Sequence, residues 1–378
     1  MKNFKNFDGL FCGLLLLFTG LCCLTKPTTS SHKNFCITPD GSRIGFMGWN
    51  GTAFLIDGET GKILNSADDS ETTSGAVVCT DDNEIVAVYN EFAVRLVDGK
   101  RVERAHTYGS IIGLTRDERL IAYTGGQSAS AESNAGRPLR LYESKIDEKS
   151  EQAKSVMVPF EKFEGLRSGA NYYYILPVSF LRSGEILVAA GAVPRSYQYG
   201  VEAKISPEAW GFFLVNPQTG EVRPHGTAKT GDVEINFLDP PRVYSTPDGR
   251  FLALLSGYHT GNAVAVFDAE TDREIFREVM PDDFEIVDAV FSEDGKQLAL
   301  AVRHNRPMRG GMRVFYDAKI YDLGARKEIN AFSLKNNMPY LIDFRDGKLV
   351  VNHYPDLVSK MDAQTAQIVW ETILPGRK

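Results

Sequence analysis

The sequence predicts an all-β chain in which a small four-stranded antiparallel sheet is repeated seven times. Two recurring turn markers, and the paired apolar runs they separate, carry that expectation. The clearest copy runs from Thr246 to Glu274: a Pro-Asp-Gly turn, the run FLALLS, a polar loop, the run AVAVFD, and a second turn at DAETD. Asp248-Gly249 suits a tight hairpin because Asp bonds its own backbone and Gly accepts positive φ, and Asp268 with Thr271 suits the second turn for the same reason. The first marker recurs at Asp40-Gly41, Asp82-Asn83, Asp117-Glu118, Ser183-Gly184, Asp248-Gly249, Asp294-Gly295 and Asp346-Gly347. The second begins at Asp57, Asp98, Glu143, Asn216, Asp268, Asp322 and Asp362. Strand-like pairs such as RIGFMG with TAFLID, or EIVAVY with AVRLVD, lie between them, and helical periodicity is nearly absent. One such sheet cannot bury both of its faces, so the units must stack on one another.

This pattern resembles the WD40-like and YVTN-type repeats of β-propellers, from Phe35 to about Leu374. The Trp-Asp and Gly-His pairs of eukaryotic WD40 repeats are missing, so the likeness is to the looser bacterial repeats. It implies a seven-bladed β-propeller of four-stranded antiparallel blades over residues 35–378, with residues 1–34 set apart. That family includes binding scaffolds and enzymes, so the fold alone assigns no function. Each blade is expected to run from an inner strand A through B and C to an outer strand D. The A–B and C–D turns then lie on one end of the ring and the B–C and D–A connections on the other.

Of 378 residues, 43% are apolar, enough for a core. A net charge of -7 gives no general attraction to nucleic acid or to an anionic membrane. Lys2 and Lys5 precede an apolar run from Leu10 to Leu24, which suits a signal-peptide core and is short for a membrane span. Export to the periplasm or cell envelope is the expectation, with membrane contact only through this segment. Cys22 and Cys23, followed by the polar stretch Thr25 to Asn34, leave two readings open: a lipid anchor on one of these cysteines, or an ordinary or retained signal. Cys36 and Cys79 lie at different offsets before their turn markers, so alternation points them to opposite faces of their strands. No disulfide is expected.

The marker spacing is longest in the third, fourth and sixth copies, which lengthens three B–C loops. Two D–A connections, Glu151 to Tyr172 and His225 to Pro241, are also long. All five insertions are therefore expected on one end, as in a scaffold with a single working surface. Candidate binding residues there are Arg195, Tyr197, Tyr199 and Trp210 in blade 4, Tyr258 and His259 in blade 5, and Arg303, His304, Arg306, Arg309 and Arg313 in blade 6. Tyr172 and Tyr173 precede blade 4. Aromatic and arginine side chains give large contact area or forked donors at small entropic cost.

Signals for catalysis are few. The six histidines show no metal-ligand spacing, and no GxSxG elbow or P-loop occurs. The Asp-rich turns read as caps rather than calcium loops. The segment DAQTAQIVW resembles the tryptophan-docking repeat of quinoprotein dehydrogenases, which also occurs in cofactor-free outer-membrane assembly propellers. It implies that Trp370 packs on the next blade, with Ala366 where that repeat has Gly. No adjacent cysteine pair follows residue 34 to lie over a quinone. The sequence therefore favours a monomeric, exported, non-catalytic scaffold that binds a protein, peptide or envelope component. The alternative is a lactonase-like or quinone-dependent propeller enzyme. No catalytic or metal-ligating residue and no cofactor is assigned.

Overall fold

In the computed structural model, which describes residues 35–48, 51–68, 75–79, 83–89, 92–103, 110–115, 119–124, 138–145, 154–159, 162–163, 172–193, 210–228, 242–255, 261–308, 311–335 and 337–375, both turn markers are side-chain-capped. In the first, a hydroxyl two residues before the Asp donates to its carboxylate: Thr38 to Asp40 at 2.7 Å, Thr246 to Asp248 at 2.5 Å, Ser292 to Asp294 at 2.8 Å. The amide two residues after the Asp, of Ser42, Arg250 or Lys296, donates to the same oxygen. In the second, Asp57 accepts from the amides of Glu59 and Thr60, and Asp362 from those of Gln364 and Thr365. These bonds favour the charged carboxylate. The Ser42 amide and the Thr38 hydroxyl hold Asp40 below its ordinary value, and the Thr60 amide and hydroxyl do so for Asp57.

The turns divide the chain into seven sheets, each ordered as the chain runs. Blade 1 is β1 (Phe35–Ile37), β2 (Arg43–Met47), β3 (Ala53–Asp57) and β4 (Ile63–Ala67). Blade 2 is β5 (Ala76–Cys79), β6 (Ile85–Val88), β7 (Phe92–Arg95) and β8 (Arg101–Glu103). Blade 3 is β9 (Ser110–Leu114), β10 (Arg119–Thr124), β11 (Leu139–Lys145) and β12 (Lys154–Val158). Blade 4 is β13 (Tyr172–Phe180), β14 (Ile186–Val193), β15 (Trp210–Val215) and β16 (Val222–Ala228). Blade 5 is β17 (Arg242–Ser245), β18 (Phe251–Leu255), β19 (Ala263–Asp268) and β20 (Arg273–Val279). Blade 6 is β21 (Phe284–Phe291), β22 (Gln297–Met308), β23 (Gly311–Asp322) and β24 (Lys327–Ser333). Blade 7 is β25 (Pro339–Arg345), β26 (Lys348–His353), β27 (Leu357–Asp362) and β28 (Ile368–Ile373). The first strand of each blade lies beside the first strand of the next, and β25 lies beside β1, so the seven-bladed propeller closes.

The middle strands are apolar on both faces because each blade is covered on both. In β19 every residue is buried: Ala265 and Phe267 pack toward blade 4, while Val264 and Val266 pack toward blade 6. Fully burying a side chain such as Val264, Val266 or Phe267 is worth about 1.5–3 kcal/mol, so the interfaces between blades stabilise the ring.

The ring closes without exchanging a strand. Trp370 on β28 donates its indole N–H to the Gly58 carbonyl at 3.2 Å, and Lys360 donates to the same oxygen at 2.8 Å. Thr372 donates to Gly61, and Arg345 to the Pro39 carbonyl at 2.5 Å. Gly61, at φ +72°, lies under the indole; a Cβ there would come within 2.6 Å of the Trp370 ring. Trp370 thus docks blade 7 onto blade 1, as the sequence implies.

Three expectations are corrected. Cys36 on β1 and Cys79 on β5 form a disulfide, with Cα atoms 5.7 Å apart. Alternation does place them on opposite faces of their sheets, but neighbouring blades present opposite faces to each other, so these are the side chains that meet. Second, the stretch Glu151 to Tyr172 is not all connection. It contains β12, which leaves residues 146–153 as a C–D connection on the opposite end and 159–171 as the D–A connection. Third, His225 belongs to β16, where its Nε2 lies 2.8 Å from the Gly249 carbonyl oxygen.

Candidate functional site

Because consecutive strands are antiparallel, the B–C and D–A connections share one end of the ring. The four longest connections between consecutive strands, 125–138, 159–171, 194–209 and 229–241, all leave from that end. The opposite end carries the capped A–B and C–D turns, with 146–153 its longest connection. Arg195, Tyr197 and Tyr199 fall in 194–209, and Tyr258 and His259 in 256–260. Arg309 and the two signal cysteines, Cys22 and Cys23, also lie outside the described residues. Trp210, Tyr172 and Tyr173 begin strands β15 and β13 rather than lying in loops.

The blade 6 insertion is no loop. β22 and β23 stay paired from Gln297↔Asp322 to Met308↔Gly311, so Arg303, His304, Arg306 and Arg313 sit on a long hairpin. The signal for it is the Gly310-Gly311 dipeptide between runs of matched length, a hairpin marker. Polar residues over its outer half hide the strands, since alternation shows only where one face is buried.

The side chains of this hairpin divide sharply at His304. Its ring is stacked between Phe284, centroids 4.9 Å apart, and Phe315, at 5.8 Å. Nε2 lies 2.8 Å from Asp317 Oδ2, and Ser333 donates to Oδ1 of the same carboxylate at 2.9 Å. The His304 side chain is 1% exposed, so it braces the hairpin and offers no contact surface, contrary to the sequence expectation. Ser333 bonds the carboxylate and not the imidazole, an arrangement that does not activate the hydroxyl as a nucleophile. Arg303 is paired with Glu285 at 3.0 Å. Arg306, one turn of the pleat beyond His304, lies over the Phe315 ring at 5.5 Å and is exposed, as is Arg313 opposite it.

The inner strands of all seven blades also enclose a cavity of about 360 Å³ along the ring axis. Its polar groups pair with one another, within blade 7 and across blade boundaries. Ser179 and Ser245 hydroxyls are 2.9 Å apart, and Arg345 lies 3.3 Å from Glu293 and 3.6 Å from Asp343. Burial raises the Asp343 carboxyl above its ordinary value, against the opposing pull of Arg345. Beside the cavity, Tyr244 donates to Asp288 at 2.5 Å, Leu341 N–H donates to the other carboxylate oxygen at 2.7 Å, and Arg242 donates to the Ile286 and Val287 carbonyls. Burial, then the Asp288 charge, pushes the Tyr244 hydroxyl well above its ordinary value. These contacts tie three inner strands together, and every group named here has a partner in the ring itself.

Neither a family model nor a curated protein matches the sequence. Solved structures do match. The β-propeller domain of Cps50 (Swd1) from Myceliophteria thermophila is 12% identical with a TM-score of 0.52, covering 89% of this chain and 96% of that one. Hsv2 from Kluyvelomyces marxianus is 10% identical with a TM-score of 0.51, covering 90% of this chain and 98% of that one. At these identities the likeness establishes the fold alone, a β-propeller, which the seven four-stranded blades show directly.

Proposed function

We propose that this chain is an exported, non-catalytic β-propeller scaffold that engages a protein, peptide or cell-envelope partner through the B–C/D–A end of the ring. One observation carries the reading: the four longest connections and the projecting β22–β23 hairpin all leave that end, while six of the seven C–D turns opposite are short and capped. A scaffold that works on one side lengthens that side and keeps the other compact. WD40 propellers mediate protein interactions as a class, in keeping with binding rather than chemistry. The bacterial YVTN-type likeness and a monomeric ring belong to the same reading.

Export is supported by Lys2, Lys5 and the apolar run from Leu10 to Leu24, and by the Cys36–Cys79 disulfide, a bond that persists in oxidising compartments. Fractionation of the producing cell should find the protein in the envelope or periplasm with Cys36 and Cys79 bonded. An unprocessed cytoplasmic protein with free thiols refutes export. Substituting Cys22 and Cys23 together should release it from membranes if either carries a lipid.

The working end is tested with a partner captured from a cell-envelope extract. Changing Arg306 and Arg313 to Ala together should weaken that complex by about 1–4 kcal/mol and leave the fold intact, since hot-spot losses are of this size and exposed positions add little stability. Glu270→Ala with Asp272→Ala, in a C–D turn on the opposite end, should leave it unchanged. Sensitivity to the second pair alone assigns binding to the wrong end.

A further inference from the structure

Beyond His304 the β22–β23 hairpin leaves its own sheet. β21 pairs with β22 only as far as Phe284↔His304, and β24 pairs with β23 only as far as Asp317↔Ser333, after which the Leu334 amide donates to the Tyr316 carbonyl. Residues 305–308 and 311–314 are therefore an exposed two-stranded ribbon, with an open edge on either side among the described residues. Unpaired strand edges carry backbone donors and acceptors in register for another strand.

The two edges differ. Pro307 lies on the β22 side and has no N–H to give, which blunts that edge. On β23, Tyr316 directs its carbonyl outward to Leu334, and strand alternation aims the amides and carbonyls of Val314 and Met312 the same way. The β23 edge is thus open and regular.

The ribbon is also two-faced. Met312, Val314 and Pro307 share one face, with Met312 65% and Val314 37% exposed. Arg306 and Arg313 share the other, directly opposite each other. Like charges so placed repel, and among the described residues no carboxylate lies within ion-pairing distance of either, in a chain of net charge -7. An anion between them relieves that repulsion.

Resting on the reading of this end as the working surface, we propose that the open edge of β23 takes up an extended acidic peptide segment as an added strand. The segment's backbone would bond Met312 and Val314. Its alternate residues would set carboxylates on the Arg306–Arg313 face and apolar side chains on the Met312–Val314 face, the division of labour that strand addition uses.

The probe is a short fluorescent peptide alternating Glu and Val, read by anisotropy. Its counterparts are a Lys-Val peptide and a Glu-Val peptide N-methylated at alternate residues. The wild-type protein should bind the first and neither of the others. Val314→Pro should lower affinity by about tenfold or more while leaving the melting temperature near wild type, because the amide it removes bonds no residue of the hairpin. Arg306→Glu with Arg313→Glu should reverse the preference toward the Lys-Val peptide. Equal binding of the N-methylated peptide, a test that needs no variant, or failure of the wild type to bind the Glu-Val peptide, overturns strand addition. If in either case the Ala pair at 306 and 313 still weakens the captured partner, the working end stands without it; if that pair has no effect, the end itself is wrong. Vesicles with anionic lipid that bind through the same arginines, uncompeted by the Glu-Val peptide, replace the peptide with a membrane and also overturn the proposal.

Discussion

Ala366 sits at φ +60° in the last C–D turn, where Gly61, Gly99 and Gly220 hold the corresponding position at +72°, +71° and +66°. An L-residue there is strained by contact between its Cβ and the neighbouring carbonyl. Ala366→Gly should stabilise the protein by about 0.5–1 kcal/mol, less than the strain itself because Gly also loosens the unfolded chain. Denaturant midpoints of the two proteins check it. His353 makes a second residue-scale prediction. It is buried, its Nε2 lies 2.9 Å from the Ser359 hydroxyl oxygen, and its Nδ1 has no partner. Burial, aided by the Lys335 charge and opposed by Glu371, pushes the imidazole down to about 4. The unfolded chain takes up this proton near pH 6.5, well before the fold does. Stability is therefore full above about pH 6.5, falls by about 2–3 kcal/mol as pH drops toward 4, and levels below it. In His353→Gln that segment of the urea-stability profile should flatten; an unchanged profile assigns the slope to another group.

At the scale of the element, the blades are legible in the sequence because their turns are coded within a few residues. A hydroxyl, an Asp and a Gly in Thr246-Pro247-Asp248-Gly249 specify the hairpin wherever they occur. Relations between elements are less legible. The facing of Cys36 and Cys79 depends on how one blade meets the next, which strand alternation alone does not contain. The outer half of the blade 6 hairpin escapes because both its faces are exposed, so no apolar stripe marks it. The candidate site was legible only in part: Arg306 and Arg313 do project from the chosen end, whereas His304 is consumed in an aromatic stack. Replacing Cys36 and Cys79 by Ser should cost about 2–4 kcal/mol, the entropy of a loop of this length, and reductant should reproduce the loss in the wild type but not in the variant.

For the whole molecule, the contact between blade 7 and blade 1 is the place where the ring opens, because no segment of chain connects β28 to β1 and, among the described residues, side-chain contacts alone hold these two blades together. Trp370→Ala removes both the indole packed on Gly61 and the bond to Gly58, and should destabilise by about 3–5 kcal/mol, with proteolysis beginning in β1 or β28. Since every blade is drawn from one unbroken stretch of chain, the ring has no privileged first blade. The gap from Leu374 to Phe35 is one more outer-to-inner passage of the kind that residues 280–283 make between β20 and β21. A circular permutant that joins those two ends by a linker of that length, and begins instead at Phe284, should fold to the same ring. The joint would then sit where Trp370 now holds the seam, and the permutant should no longer depend on that side chain for closure.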